Sequence, residues 1–341
     1  MDARRLAWKL SLREDEFPTR LFGRAADEAG LPPHEKGLAR ELLGGLLRRR
    51  ASLDAVVRAY TKGRVPDAKL LAALRLGIYQ LLFLRGVPPH AALHTTLEAV
   101  KPECRAKIGF LNAVLRAVTR GAREVDAATP VAADVLPAGD RRWKFDRKVL
   151  ADPVEQPARH LADAWSQPEL LVKRWLGEVG EERTLARLQA FDRPAELGLR
   201  VNPLRATREQ VYAELERAGV SVADGLHPLH LRVTEPAGGV AALPGFHQGL
   251  WAVQDATALE SLALAGPRAG ERILDLCAAP GGKSFAAFEL CGGEAEVLGC
   301  DVHPERLQRM EAERARLGHS AVQTRLLKAD AGGADASPEG P

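Results

Sequence analysis

The chain has 341 residues, 46% hydrophobic and 27% charged, which suits two or three globular domains and excludes a disordered chain. No run of 18 apolar residues occurs, so a membrane span is not expected, and the basic start MDARRLAWKLSL is interrupted by Arg5, Lys9 and Arg13, as in an amphipathic helix rather than a secretory signal. The net charge of +3 hides a division: residues 1–150 carry 28 lysines and arginines against 17 acids, and residues 151–341 carry 20 against 28, so an anionic partner is expected for the first half.

Residues 1–122 read as helices throughout. Apolar residues recur at helical spacing in LARELLGGLLRRR, ASLDAVVRAY, AKLLAALRLGIYQLLFL and IGFLNAVLRAVTR, and the breakers GLPP, GRVP and GVPP fall between the runs. Residues 123–160 are rich in Pro, Ala, Asp and Arg without a sustained period and read as a linker over the surface. Within them Arg141, Arg142, Trp143, Lys144 and Phe145 have two readings: a patch that stacks on RNA, or aromatic pins that hold the linker to a domain.

From 161 onward the types mix. PELLVKRWLGEVG and ERTLARLQAF are helical, and AELGLRVNP alternates like a strand through Leu197, Leu199 and Val201. TREQVYAELERAG is a helix opened by Thr207 and closed by Gly219, and HLRVTE is a short strand. GLWAVQDATALESLALAG gives a strand and then a helix capped by Asp255. After it RILDLC, EVLGCD and VQTRLLKAD are strands separated by helices, the pattern of a parallel sheet.

LDLCAAPGGKS (274–284) is the most informative stretch. A phosphate loop needs G-x-x-x-x-G-K-[ST], and Cys277 stands where its first glycine belongs. A dinucleotide fingerprint needs three spaced glycines, and this loop has only Gly281 and Gly282. The remaining reading is a turn that passes close to a ligand without phosphate, beside the acids Asp275, Asp301 and Asp330. Asp301 ends the second strand, 19 residues after Gly282, where an acid accepts both ribose hydroxyls; Asp330 ends the third strand at the same edge. S-adenosylmethionine is such a ligand, a nucleoside with a cationic sulfonium.

LDLCAAPGGKS resembles the first motif of the RNA (cytosine-5)-methyltransferases. GLWAVQDATALES and AELGLRVNPLRATREQVYAELERAGV are similar to the segments that precede it there, and LRLGIYQLLFLRGVPPHAALHTTLEAV with GFLNAVLRAVTR resembles a NusB-like helical domain. The combination is that of the RsmB/Sun family, in which the NusB-like domain is fused to a methyltransferase acting on 16S ribosomal RNA. The resemblance implies a multidomain fold: an all-α NusB-like helix bundle (1–122), a linker (123–160), a small α+β domain (161–242), and the first part of an α/β Rossmann-type methyltransferase domain (243–341). It places the cofactor loop on Cys277, Ala278, Ala279, Pro280, Gly281, Gly282 and Lys283, the ribose acid on Asp301 and the adenine-side acid on Asp330. It also implies S-adenosylmethionine as cofactor, 16S rRNA as partner, no metal, and a cytoplasmic monomer.

Methylating carbon 5 of cytosine needs a thiolate that adds to carbon 6. The family carries it in a Thr-Cys motif after the fifth strand, with a second cysteine in an Asp-x-Pro-Cys motif after the fourth. Neither motif occurs here. Cys104, Cys277, Cys291 and Cys300 form no CxxC pair or zinc spacing, suit a reducing compartment, and read as packing residues. The expectation is the front part of a methyltransferase, inactive alone, with its first parallel strand left as a sheet edge. The basic residues expected to meet RNA are Arg40, Arg48, Arg49, Arg50, Arg116 and Arg120. His90 and His94, four apart, lack further metal ligands. The competing readings are a NusB-like RNA-binding or antitermination module without methyltransferase activity, and a P-loop nucleotidase, against which Cys277 stands.

Overall fold

A computed structural model describes residues 1–13, 17–64, 66–193, 196–235 and 239–328. The chain divides into two units, 1–194 and 195–341.

Seven helices open the first unit: α1 (Ala3–Ser11), α2 (Pro18–Glu28), α3 (Pro33–Arg48), α4 (Arg50–Tyr60), α5 (Ala68–Leu82), α6 (Pro89–Cys104) and α7 (Ile108–Gly121). Their starts are written in the sequence. Asp2 and Asp67 accept backbone N–H groups of the first turns of α1 and α5, while α2, α3 and α6 begin with proline, which has no N–H to leave unpaired. α5 is buried nearly all round, with Ala73, Leu74, Leu76 and Ile78 fully enclosed. It lies close to α3: a β-carbon at Gly45 would stand 1.9 Å from the Tyr79 ring.

The stretch read as a linker is ordered differently. It holds β1 (Ala122–Val125), β2 (Val135–Ala138) and β3 (Arg141–Phe145), an antiparallel sheet in the order β1-β3-β2. Leu136 and Phe145 join the helical core. The basic–aromatic cluster serves the second of its two readings. The Trp143 indole donates to the Leu82 carbonyl at 2.8 Å, and Arg141 donates to the carbonyls of Leu82 and Phe83, both at 3.1 Å. These are carbonyls that the end of α5 leaves without helical partners, so the cluster caps a helix.

Two further helices, α8 (Pro157–Trp165) and α9 (Glu169–Asp192, broken at Gly180), bury Leu161, Trp165, Val172 and Leu188 in this same core. Ser52 on α4 donates to the Asp163 carbonyl at 2.7 Å, and Arg58 pairs with the Asp163 side chain at 2.7 Å. The helices expected to begin the α+β domain at 161 therefore pack with the first unit. Helical periodicity showed that they exist but not which core they face.

The second unit contains two sheets. β4 (Leu197–Val201), β5 (Val222–Asp224), β6 (His230–Val233) and β7 (Trp251–Val253) form an antiparallel sheet in the order β5-β6-β4-β7. Leu199, Val201, Leu231 and Trp251 pack with Val211 and Leu215 of α10 (Arg208–Arg217), which opens on a complete capping box of Thr207 and Gln210. β7 was expected in the methyltransferase domain, but it pairs with β4. α11 (Ala256–Ala265) follows, capped by Asp255.

Then β8 (Arg272–Asp275), α12 (Gly282–Leu290), β9 (Glu296–Asp301), α13 (Pro304–Leu317) and β10 (Gln323–Leu326) alternate, and their strands form a parallel sheet in the order β10-β9-β8. β8 is an outer strand among the described residues, with Leu274 and Leu276 each 47% exposed. Such an edge offers unpaired backbone groups to a further strand.

Candidate functional site

The parallel strands place their carboxyl ends together, the edge at which open α/β sheets bind ligands. In register, Asp275 lies opposite Gly299 and Leu326 opposite Asp301. The loop from β8 to α12 is folded back onto the end of β9. Ala278 donates its N–H to the Cys300 carbonyl at 2.8 Å, and Ala279 donates its N–H to Asp301 Oδ2 at 3.2 Å. His303 N–H takes the other Asp301 oxygen at 2.9 Å, and Asp301 is buried. The glycine loop and the strand-end acid are thus hydrogen-bonded to each other at the carboxyl edge of the sheet.

Gly281 makes the turn into α12. Its φ is +103°, and a β-carbon there would lie 2.2 Å from the Phe285 ring, so both backbone angle and space require glycine. Gly282 is the first helical residue and Lys283 is exposed. The first-turn N–H groups of α12 have no acceptors within the helix, and no side chain of the Gly281 cap satisfies them.

Asp275 plays a different part from the one expected. Its Oδ1 accepts the Cys277 N–H at 3.1 Å and its Oδ2 the Ser284 hydroxyl at 2.7 Å, so it braces the loop from within. Ser284 was visible in the sequence only as the last residue of a failed phosphate motif; its spacing of nine from Asp275 was the signal. Asp330 lies outside the described residues.

Three of the cysteines are packing residues, as expected. Cys104, Cys291 and Cys300 are buried, and burial pushes their thiols above the ordinary cysteine range. Cys277 is the exception: it is exposed, beside Leu276 on the loop. His90 and His94 are both exposed, and among the described residues no group of three or more His, Cys, Asp or Glu could hold a metal.

Several arginines expected to face RNA have partners inside the first unit. Arg40 lies over the Phe22 ring, Arg48 pairs with Glu41 at 3.7 Å, Arg49 pairs with Asp192, and Arg116 donates to Asn112 at 3.1 Å. Among the described residues no helix is long and apolar enough to cross a membrane.

Comparison with known proteins gives three matched segments, of which the middle one spans the boundary between the two units. Residues 2–120 match the NusB family, residues 167–238 the RsmF/B-like ferredoxin-like domain of methyltransferases, and residues 262–340 the family of 16S rRNA methyltransferase RsmB/F. The chain is 29% identical over 318 residues to the probable ribosomal RNA small subunit methyltransferase B of Synechocystis sp., covering 91% of this chain and 65% of that one. For the protein of the same description in Bacillus subtilis the identity is 28% over 302 residues, with 88% and 62% covered. For ribosomal RNA small subunit methyltransferase B of Escherichia fergusonii it is 32% over 292 residues, with 84% and 60% covered. The chain thus spans less than two thirds of the length of each of these relatives. A solved structure described as "Crystal Structure of PH0851" shares the fold, with a TM-score of 0.65 at 19% identity over 96% of this chain and 70% of that one.

Proposed function

We propose that this chain, which carries the NusB, ferredoxin-like and methyltransferase domains of the RsmB/F methyltransferases, binds S-adenosylmethionine in the 277–283 loop and docks 16S ribosomal RNA for methylation at carbon 5 of a cytosine. The observation that carries the reading is the closure of the loop on Asp301 through the Ala279 N–H, 3.2 Å from the carboxylate.

The residues present suit that donor. Gly281 keeps the turn free of side-chain bulk, and the free N–H groups at the start of α12 suit the donor's carboxylate. Each Asp301 oxygen accepts one backbone N–H and retains a lone pair for a ribose hydroxyl. The family motif assigns Asp330 to the adenine side. When bound, the donor supplies an electrophilic methyl group on a cationic sulfur. The protein's own work is to hold the ribose and amino-acid ends, with Asp275 and Ser284 keeping the loop in shape. Asp301 would repel a phosphate carried on the ribose hydroxyls that it faces.

Attack on carbon 6 is a separate demand. Cys104, Cys291 and Cys300 are enclosed with raised thiols, the exposed Cys277 belongs to the loop given to the donor itself, and the Thr-Cys and Asp-x-Pro-Cys motifs do not occur in the 341 residues. The proposal therefore gives this chain donor binding and RNA docking, on a cytoplasmic monomer, and not the covalent step. Incubation with unmodified 16S RNA and labelled donor is expected to give no turnover.

Calorimetric titration with S-adenosylhomocysteine and with ATP tests the reading. We expect one S-adenosylhomocysteine per chain and no ATP binding. ATP binding alone would restore the phosphate-loop reading, and binding of neither, with RNA still bound, would leave an RNA-binding module in its place.

A further inference from the structure

A buried charge cluster lies behind the loop. Arg200, the fourth residue of β4, is 1% exposed, and Glu289 on α12 is 2% exposed. The guanidinium grips the carboxylate with two bonds, Nε to Oε2 at 2.7 Å and Nη2 to Oε1 at 3.0 Å. Its Nη1 donates to the Gly282 carbonyl at 2.7 Å and to the side-chain oxygen of Gln254. His319, 1% exposed, meets Glu289 Oε1 through Nε2 at 2.7 Å. One arginine thus joins β4, the residue before the α11 cap, and both ends of α12.

Stability is a poor reason for such a cluster. Desolvating two charges cancels most of their attraction, and well-packed apolar residues of similar volume often do as well. Direction is what a planar, two-pronged donor adds. Gly282 and Glu289 are seven residues apart, about two helical turns, and so share one face of α12. The Glu289 side chain reaches back along that face toward the N-terminus. A guanidinium bonded to both sets the height of the helix and its rotation about its own axis.

We propose that Arg200 is a positioning residue for the methyl-donor loop: by fixing α12 at Gly282 and Glu289 it holds the Gly281–Gly282 turn in place against Asp301. Gln254 is its helper, steering the Nη1 that takes the Gly282 carbonyl. The proposal rests on the cofactor reading of the loop. It assigns to the antiparallel sheet a task in the donor site, through an arginine that is itself 1% exposed.

The test uses the full 341-residue chain with Arg200→Lys and Gln254→Ala. Arg200→Lys keeps a cation for Glu289 and loses the fork. S-adenosylhomocysteine is titrated well below each melting midpoint, and amide hydrogen exchange is followed at residues 278–283. The positioning role predicts about tenfold weaker binding for Arg200→Lys, about threefold for Gln254→Ala, and faster exchange in the loop for both. A merely structural role predicts a lower melting midpoint with affinity and loop exchange as in the wild type, and that result overturns the proposal. If Arg200→Lys gives no cooperative melt, Gln254→Ala decides on the same two readouts. If the wild type itself does not bind S-adenosylhomocysteine, the cofactor reading fails; loop exchange then decides the positioning of α12 alone, and unchanged exchange refutes it.

Discussion

The two units bury different kinds of polar group. In the first, the enclosed polar residues are mostly neutral: Ser52 and Thr61 donate to backbone carbonyls and Gln80 bonds Thr96 at 2.7 Å, while Asp163, paired with Arg58, is the charged exception. In the second, Arg200, Glu289, His319, Asn202 and Asp301 are all enclosed, and their bonds run between distant segments. The first core is apolar, with polar bonds that are mostly between neutral groups. The second is an apolar core crossed by a charged frame whose ends lie at the donor loop. Apolar packing tolerates small shifts, and directional bonds do not; the frame lies behind the loop for which donor binding is proposed.

Four substitutions test this contrast, from the largest expected effect to the smallest. Leu74→Ala removes a fully enclosed side chain of α5 and is expected to cost the first unit about 2–5 kcal/mol in chemical denaturation. S-adenosylhomocysteine affinity should stay within about twofold, since every residue of the donor site lies in the second unit. Gly281→Ala should do the reverse. It forces a side chain onto a φ of +103° and into Phe285, and about a hundredfold loss of S-adenosylhomocysteine affinity is expected by calorimetry. Equal affinity for this variant would show that the turn is not part of the donor site.

Thr207→Ala breaks the capping box of α10 and is expected to cost about 1 kcal/mol in the second unit without altering affinity, measured by denaturant titration and calorimetry side by side. The smallest effect is expected at Asp67. A hydrogen bond from Lys107, at 2.6 Å, holds its carboxyl below the usual range. Its contribution is therefore present above the ordinary aspartate pKa of about 3.9 and fades as the pH falls through the lowered value. Both side chains are half exposed, so the contribution is slight. Between pH 5 and pH 3 the melting midpoint of the wild type should fall slightly further than that of Asp67→Asn; parallel falls would remove Asp67 from the acid limb.

Much of this was legible in the sequence, for physical reasons that also explain the omissions. The helices of the first unit declare themselves by period, proline starts and aspartate caps, all local signals. The loop and Asp301 were legible because a turn into a helix and an acid at a strand end carry fixed spacings. The strands β1 to β3 were not. They lie in a stretch rich in Pro, Ala, Asp and Arg rather than β-branched residues, and their pairing depends on distant partners such as Glu124 opposite Trp143. Arg200 was missed for a subtler reason. Leu197, Leu199 and Val201 alternate inward, which assigns Arg200 to the opposite face, and alternation treats that face as solvent. Here α12 covers it, and only the fold shows the arginine enclosed. Near 160 two divisions differ: α8 and α9 pack in the first core, while the ferredoxin-like match begins at 167.

The central claim is that the 277–283 loop and Asp301 together bind the methyl donor. The most direct measurement is calorimetric titration of S-adenosylhomocysteine into the wild-type chain and into Asp301→Ala. One site per chain in the wild type, weakened at least about tenfold in the variant, is the result predicted here. Binding of equal strength in both would contradict it, because the acid would then have no part in holding the donor.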